Sequence, residues 1–275
     1  MRRPANAPPA RGARTSLATA LATPERKARY VRTLFEGIAS RYDDITVGLS
    51  YGRDRHWKDT LARMACVQPG ELALDLACGT GDIAVRLAAS GARVTGLDLT
   101  TGMLTLAATR NASVPSVRWL QGDMMALPIA SASYDIVTIG YGLRNVPVLD
   151  TSLTEILRVL RPGGRVLSLD FTLPASPIVR RAYLAYLDLV GGVVGQALHG
   201  DPDTYRYIPA SLRRYAGAEG VVSRMRDLGF TDVAWWPLLG GLMAINTGFR
   251  PRNVPSWDDH VPNSVISRHT DGNQT

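Results

Sequence analysis

Cysteine, lysine and long apolar runs are all scarce in this chain of 275 residues. Its two cysteines, Cys66 and Cys78, are too few for a disulfide scaffold and are typical of a reducing compartment. No apolar run reaches about 18 residues, the length that a membrane-spanning helix needs. Only two of the 31 basic residues are lysines, Lys27 and Lys58. The preference for arginine extends over the whole chain and indicates a coding bias rather than a selected basic surface.

The net charge of +7 is concentrated near the N-terminus. Four arginines precede the first acidic residue, Glu25, in a segment rich in alanine and proline. This composition predicts a disordered basic extension over residues 1–24. A mitochondrial targeting peptide is the alternative, because such peptides are also rich in arginine and poor in acidic residues. Binding to nucleic acid is disfavoured, since no aromatic residues are interleaved with the positive charges.

The expected folded region, residues 25–250, alternates short apolar segments with helical ones, and residues 251–275 are expected to form a polar tail. The alternation predicts an α/β, Rossmann-like fold with a seven-stranded, mostly parallel sheet and helices on both faces. A helical insertion at about residues 174–218 interrupts it and is expected to cover the substrate. Predicted strands are Leu72–Ala77, Arg93–Leu97, Ser116–Gln121, Tyr134–Gly140, Arg165–Asp170, Asp232–Trp236 and Gly241–Thr247. Predicted helices are Asp82–Ala89, Thr101–Arg110 and Ser152–Leu160, the last stopped by Pro162-Gly163-Gly164.

Acidic residues and glycines mark the carboxyl ends of the first three predicted strands, where open α/β sheets bind their ligands. The first end is the stretch from Asp75 to Asp82, whose glycines let the backbone turn sharply and pass close to a ligand. The second strand ends in Asp98, placed to accept hydrogen bonds from ribose hydroxyls. The third is followed by Asp123, placed for the edge of an adenine ring.

The stretch Gly79–Ala84 also satisfies the dinucleotide pattern G-x-G-x-x-G/A, so this loop alone does not separate the two ligand classes. Electrostatics separates a dinucleotide from S-adenosylmethionine, because a pyrophosphate favours a helix N-terminus free of carboxylates. Four carboxylates are expected around this crevice, and they favour the cationic nucleoside S-adenosylmethionine. They belong to Asp75, Asp82, Asp98 and Asp123.

Several motifs are similar to those of the ubiquinone/menaquinone biosynthesis C-methyltransferases, a class I S-adenosylmethionine-dependent family. The most specific is Gly142-Leu143-Arg144-Asn145-Val146, after the fourth predicted strand. Residues 35–43, Phe-Glu-Gly-Ile-Ala-Ser-Arg-Tyr-Asp, resemble the family's opening motif. Arg158–Gly164 and Asp203–Ser211 continue the resemblance, which extends over about residues 33 to 250.

The sequence departs from the family pattern at four places, one of them a pair of residues. Ile45-Thr46 stands where the family usually has Met-Asn, and Asp54 stands in place of a histidine. Gly140 replaces a serine at the end of the fourth strand, and Asn246 replaces a histidine of the final strand. The first three lie near the expected cleft. They therefore bear on the identity of the acceptor rather than on binding of the cofactor.

The resemblance implies a set of residues that bind S-adenosylmethionine and a set that acts on the acceptor, with no metal. Arg144, Asn145 and Tyr42 are the expected catalytic residues. Arg144 would stabilise a phenolate and orient a water molecule, since a guanidinium stays protonated and cannot readily act as a general base. The alternative is a structural ion pair between Arg144 and an aspartate at a strand end. The expected cofactor-binding residues are Asp75, Gly79, Thr80, Gly81, Asp98, Leu99, Asp123, Met124 and Gly140.

The implied reaction is C-methylation of a hydroxylated aromatic ring, a prenylated quinol precursor of the demethylmenaquinol or demethoxyubiquinol type. One alternative is methylation of a specialised metabolite in a diverged pocket, and a second is a non-catalytic, S-adenosylmethionine-binding partner of a quinone-forming complex. The expected partner is a small aromatic or quinol acceptor and not nucleic acid. Peripheral contact with a membrane and a homodimer remain open. The expected location is the cytoplasm or the inner-membrane surface, and the mitochondrion only if the N-terminal extension is a transit peptide.

Overall fold

Seven strands form one sheet in the computed structural model of the chain, which describes residues 16–38, 52–199 and 203–252. The strands are β1 Leu72–Leu76, β2 Arg93–Asp98, β3 Val117–Gln121, β4 Tyr134–Gly140, β5 Leu160–Phe171, β6 Thr231–Leu238 and β7 Met243–Phe249. Their order in the sheet is β3-β2-β1-β4-β5-β7-β6. Neighbours among the first five strands run parallel, whereas β7 is antiparallel to both β5 and β6. The predicted fold class and the closing antiparallel pair are confirmed.

Helices cover both faces of this sheet. They are α1 Leu17–Ala20, α2 Pro24–Ile38, α3 Asp54–Met64, α4 Asp82–Ala89, α5 Thr101–Arg110, α6 Leu149–Val159, α7 Pro177–His199, α8 Asp203–Leu212 and α9 Gly217–Asp227, with 3₁₀ helices at Leu143–Asn145 and Leu239–Gly241. Side chains alternate between the faces along β1, as the pleat of a strand requires. Ala73 packs in the core with α3 and α4, whereas Leu74 and Leu76 pack in the core with α6 and α9.

The prediction for Pro162-Gly163-Gly164 is wrong in its detail. Helix α6 already ends at Val159, and the three residues lie inside β5. There the pairing with β4 shifts register between Tyr134 and Ile136. Gly163 has a φ of 80°, and its amide donates to the carbonyl of Arg250. The motif therefore forms an irregularity in the strand, where glycine supplies a left-handed backbone, instead of a helix stop.

The predicted insertion is helical and consists mainly of α7 and α8. An added Cβ at Gly191 of α7 would lie 3.0 Å from the backbone of Tyr205, so glycine at this position allows α8 to approach closely. Helix α8 in turn carries Tyr207 and Ser211, whose side chains reach the 3₁₀ helix Leu143–Asn145. The insertion is thus joined to the end of β4. None of the helices among the described residues is long and apolar enough to cross a membrane.

Part of the expected N-terminal extension packs against the domain. Residues 1–15 lie outside the described residues, but Leu17–Ala20 form one helical turn, in which the Thr19 amide donates to the Ser16 hydroxyl. Ala20 and Leu21 are buried, and the Arg214 guanidinium donates a hydrogen bond to the Leu21 carbonyl. Residues 16–24 therefore differ from the disorder predicted for them. Most of the expected polar tail, residues 253–275, also lies outside the described residues.

Candidate active site

An open cleft with about 790 Å³ of free space lies at the carboxyl ends of β1, β2 and β4. Strand-end residues form its floor, and helix α2 forms its opposite wall. The lining includes Ala28, Val31, Arg32, Phe35, Gly79, Asp98, Leu99, Thr100, Met103, Asp123, Met124, Gly140, Tyr141, Asn145 and Pro147.

Asp98 holds the glycine loop in place at the edge of the cleft. Its Oδ2 atom accepts a hydrogen bond from the Gly79 amide at 3.0 Å. Its Oδ1 atom accepts from the amide and the hydroxyl of Thr100, at 2.9 and 2.8 Å. The carboxylate is buried but lines the cleft, and its Oδ2 atom, which accepts a single hydrogen bond, keeps accepting capacity for a ligand hydroxyl. This is the position expected of the ribose-binding residue.

Asp123 and Gly140 shape two further parts of the cleft. Asp123 accepts a hydrogen bond from the Met125 amide at 2.8 Å, an Asx turn that fixes the loop after β3. Gly140 packs closely against Ile83, and an added Cβ atom at this position would lie only 2.5 Å from the Ile83 Cδ1 atom. Serine, the residue that the family pattern led us to expect, would therefore displace Ile83. Both residues line the cleft, as predicted.

Three of the expected cofactor-binding residues, Asp75, Thr80 and Gly81, are not among the residues that line the cleft. Asp75 is fully buried and accepts hydrogen bonds from the Thr138 hydroxyl at 2.7 Å and the Ala84 amide at 3.1 Å. Burial raises the pKa of its carboxyl to about 7, although both donors oppose the shift. Gly81 instead faces Trp119, since an added Cβ would lie 2.4 Å from the Trp119 ring. These residues therefore shape the glycine loop from outside the lining of the cleft.

The expectation that four carboxylates line one crevice also fails at Asp82. This residue forms an ion pair with Lys58 at 2.8 Å, and Lys58 also binds Asp54 at 2.7 Å. Burial alone would lower the pKa of Lys58, but the two carboxylates outweigh it and raise that pKa. Asp54 additionally accepts a hydrogen bond from the Tyr141 hydroxyl at 2.8 Å. Asp54, which stands where the family usually has histidine, thus belongs to a buried polar network that joins α3, α4 and the end of β4.

The contacts of Arg144 are those of the structural alternative. The side chain is buried, and its Nε atom lies 3.4 Å from Oδ1 of Asp170 at the end of β5. Its amide donates to the same carboxylate at 3.0 Å, and its guanidinium donates to the Ser211 hydroxyl. The guanidinium also lies 5.4 Å from the Phe171 ring and 5.8 Å from the Tyr207 ring. Arg144 is therefore beside the cleft rather than in its lining.

Asn145 does line the cleft, and both ends of its side-chain amide are fixed. Its Nδ2 atom donates to the Tyr141 carbonyl at 2.7 Å, and its Oδ1 atom accepts from the Tyr207 hydroxyl at 2.9 Å. Burial raises the pKa of Tyr207 to about 12, so this phenol remains protonated and keeps donating. The third expected catalytic residue, Tyr42, lies outside the described residues.

Sequence reasoning missed the contribution of helix α2. Val31 and Phe35 line the cleft, and Lys27 donates hydrogen bonds to the carbonyls of Arg144, at 3.0 Å, and Val146, at 2.6 Å. Burial and the charge of Arg144 lower the pKa of Lys27 to about 8. Two features of the sequence pointed to this helix. Phe35 opens the family motif quoted above, and Lys27 is one of only two lysines in the chain.

Similarity to known proteins covers most of the chain. The model of the ubiE/COQ5 methyltransferase family matches residues 23–250. The chain belongs to the ubiE/COQ5 methyltransferase family. Demethylmenaquinone methyltransferase of Mycobacterium marinum is 35% identical over 230 residues, which cover 84% of this chain and 97% of that protein. The protein of the same name from Parafrankia sp. is 36% identical over 244 residues, covering 82% and 96%.

A solved structure with a similar fold comes from Thermotoga maritima. This S-adenosylmethionine-dependent methyltransferase superposes with a TM-score of 0.56 at 17% identity, covering 80% of this chain and 99% of that one. At this identity the likeness concerns the fold alone. As a member of the ubiE/COQ5 methyltransferase family, the chain is a methyltransferase, and the prediction of S-adenosylmethionine as its cofactor is confirmed.

The chemistry of the cleft fits this cofactor. A carboxylate, Asp98, is available for ribose hydroxyls, and the apolar side chains of Leu99 and Met124 offer surfaces for a flat base. Gly79, with a φ of 54°, brings unobstructed backbone to the same edge. A family member needs a donor site next to an acceptor site, and Asn145 lines this cleft together with α2 and is bonded to Tyr207 of the insertion.

Proposed function

We propose that this methyltransferase methylates a ring carbon of a hydroxylated aromatic acceptor, a prenylated quinol precursor of the demethylmenaquinol type. The observation that carries the proposal is the length of the similarity, since relatives named demethylmenaquinone methyltransferase align over at least 96% of their own length. The motif from Gly142 to Val146 supports it, because this motif delivers Asn145 to the cleft.

The donor is held by residues at the strand ends. Asp98 binds the ribose hydroxyls, Asp123 the edge of the base, and Leu99 and Met124 its faces. When bound, S-adenosylmethionine supplies an electrophilic methyl group on a sulfonium. The work of the chain is then positioning, because a transfer between two bound molecules gains most from holding them at reacting distance.

The acceptor hydroxyl is oriented by Asn145, whose amide is immobilised by Tyr207 and the Tyr141 carbonyl. Arg144 acts behind it. Its charge favours ionisation of the acceptor phenol, and its ion pair with Asp170 fixes the turn that carries Asn145. In this assignment Arg144 is a positioning residue with an electrostatic role, and Asn145 is the residue that contacts the acceptor. Tyr42 remains a proposed partner on the acceptor side.

Labelled methyl transfer by the purified protein tests this proposal directly. Demethylmenaquinol and demethoxyubiquinol analogues are offered separately with a labelled donor, and we expect transfer to the first. Transfer to neither, with donor binding intact, would reject the quinol assignment. It would then favour a specialised acceptor or a non-catalytic binding partner. Transfer to smaller hydroxylated aromatics under the same conditions would identify the specialised acceptor.

Peripheral contact with a membrane is part of the same proposal. Three apolar residues on the outward side of α7 are strongly exposed: Ile178 by 82%, Leu189 by 68% and Val193 by 62%. At 100° per residue they lie within one sector of the helix, which is typical of helices that rest on a lipid surface. We expect Leu189→Glu to reduce sedimentation with anionic vesicles, whereas Trp236→Glu, an exposed site on β6, should not. The homodimer and the cytoplasmic location stay predictions.

A further inference from the structure

A second pocket adjoins the cleft, with about 520 Å³ of free space. It lies between the start of α2, the turn after the 3₁₀ helix Leu143–Asn145, and the end of α8. Thr23, Lys27, Pro147, Ser211 and Arg214 are among the residues that line it. Pro147 also lines the cleft, so the two spaces share a wall.

The charges around this pocket are unbalanced. Lys27 and Arg214 line it, and no acidic residue is among its lining residues. Arg144 adds a third positive charge close to Lys27, while the carboxylate that acts on this group is Asp170, already paired with Arg144. Three cations against one carboxylate leave two positive charges uncompensated among the described residues. Elsewhere in the same structure, Lys58 shows how this chain neutralises a buried cation, with two carboxylates.

Hydrogen-bond donors in the pocket remain available. The Lys27 ammonium has three protons, and its two described partners are the carbonyls of Arg144 and Val146. Arg214 has five N–H donors, of which one is bonded to the Leu21 carbonyl. The Thr23 hydroxyl is already engaged, since its oxygen accepts from the Arg26 amide at 3.4 Å and its proton is donated to the Glu25 carboxylate. An ammonium and a guanidinium that converge on one space suit a tetrahedral oxyanion.

We propose that this pocket binds a phosphate group, through Lys27 and Arg214. A dianion matches the two uncompensated charges, so a phosphate dianion is preferred over a monoanion such as acetate or chloride. The group is carried by free phosphate or by a phosphomonoester headgroup, such as that of phosphatidic acid, and both can present two negative charges on terminal oxygens. The proposal is independent of the acceptor, because neither side chain is assigned to the methyl-transfer reaction.

Binding would act on the cleft through Lys27. This side chain ties α2, a wall of the cleft, to the carbonyls on either side of Asn145. Burial, Arg144 and Arg214 all lower the pKa of Lys27, and Asp170 opposes them only in part. A bound dianion adds the missing negative charge, keeps the ammonium protonated and strengthens its bonds to the carbonyls. Phosphate bound in this pocket would thus stabilise the packing of α2 against the turn that carries Asn145.

The scarcity of lysine makes the test simple. In protein labelled with ¹³C-lysine, the Cε signals of Lys27 and Lys58 report the pKa of each amine, and Lys27→Arg assigns them. We expect sodium phosphate, at constant ionic strength set with chloride, to raise the Lys27 pKa by about one unit and to leave Lys58 unchanged. Dihexanoyl phosphatidic acid, a phosphomonoester, used below its micelle concentration, forms a separate arm. A shift with phosphate identifies the free anion as sufficient, and a shift with the lipid alone identifies the headgroup.

Two variants separate the site from general screening. Arg214→Gln should abolish the phosphate-induced shift of Lys27, whereas Arg214→Lys should retain most of it. Arg213→Gln is the matched control, because the neighbouring Arg213 is paired with Asp188 and does not line the pocket. Thermal unfolding checks that each variant is folded. The proposal is overturned if neither ligand moves Lys27 more than chloride does, if Lys58 moves equally, or if folded Arg214→Gln protein responds like the wild type.

Discussion

The two lysines of this chain lie in opposite electrostatic surroundings. Lys58 on α3 is held between the carboxylates of Asp54 and Asp82, and its pKa is raised. Lys27 on α2 donates to two carbonyls, lies among other cations, and has a pKa lowered to about 8. Burial disfavours the charged form of both amines, so their neighbours decide the difference. A buried charge that is paired with opposite charges, as at Lys58, is typical of a structural ion pair. A buried charge without such partners beside a pocket, as at Lys27, favours a binding site for a charged ligand.

The largest expected difference between the two lysines is in stability. Lys58→Met leaves two buried or half-buried carboxylates without their cation and should lower the free energy of unfolding by about 3–5 kcal/mol. Lys27→Met removes two hydrogen bonds to carbonyls but also relieves repulsion, so its cost should be about 1 kcal/mol. Urea denaturation at pH 7 measures both. Equal losses would show that Lys27 is as much a structural cation as Lys58.

Replacement of Arg144 tests the positively charged surroundings of Lys27. Arg144→Ala should lower turnover about 10²-fold while the dissociation constant of S-adenosylmethionine stays within about twofold. It should also raise the pKa of Lys27, because a neighbouring cation disappears and Asp170 becomes free. Methyl-transfer assays, calorimetry and the lysine signals give the three readouts, with Arg144→Lys as the charge-matched control. If cofactor binding collapses together with turnover, Arg144 supports the fold alone.

A smaller and more selective effect is expected at Asp98, which contacts neither lysine. Asp98→Ala removes the carboxylate that orders the Gly79 loop and is placed for ribose, so the affinity for S-adenosylmethionine should fall about tenfold or more. Calorimetry measures this loss, and both lysine pKa values should stay constant. An unaltered dissociation constant would contradict the ribose assignment.

The smallest expected effect is the pH dependence of stability. The Lys27 pKa is about 8 in the folded chain against 10.5 for the free side chain, so the unfolded chain binds more protons between these values. Stability contributed by this group therefore rises as the pH increases from about 8 towards 10.5. Lys58, whose pKa is raised, contributes stability below 10.5 that is lost only above it. Urea midpoints between pH 7.5 and 9.5 should rise less in Lys27→Met than in the wild type.

The donor half of the site was largely predictable from the sequence. Gly79, Asp98, Asp123 and Gly140 stand at the ends of recognisable strands, and parallel strands bring their carboxyl ends to one edge. Asp75 was misplaced because an acidic residue near a strand end does not reveal to which side it points. Its side chain turns to Thr138 and the start of α4 instead of the cleft.

The acceptor half depended on contacts between distant segments, which no local pattern contains. Arg144 was identified from its motif, but its partners Asp170 and Ser211 are 26 and 67 positions away. The pocket at Lys27 and Arg214 needs the N-terminal segment to fold back on α8, where disorder was predicted up to residue 24. The prediction of disorder rested on alanine and proline content, which does not reveal that Leu21 is buried against the domain.

The way in which α8 meets the end of β4 has a consequence for how such an enzyme can change. Two side chains, Tyr207 and Ser211, carry the hydrogen bonds from α8 to Arg144 and Asn145. Remodelling of α7 and α8 that preserves these two anchors leaves untouched the strand ends to which we assign binding of the donor. The insertion is therefore an exchangeable module. Grafting this helical pair from a relative offers a direct route to a new acceptor range on an unaltered methyl-donor scaffold.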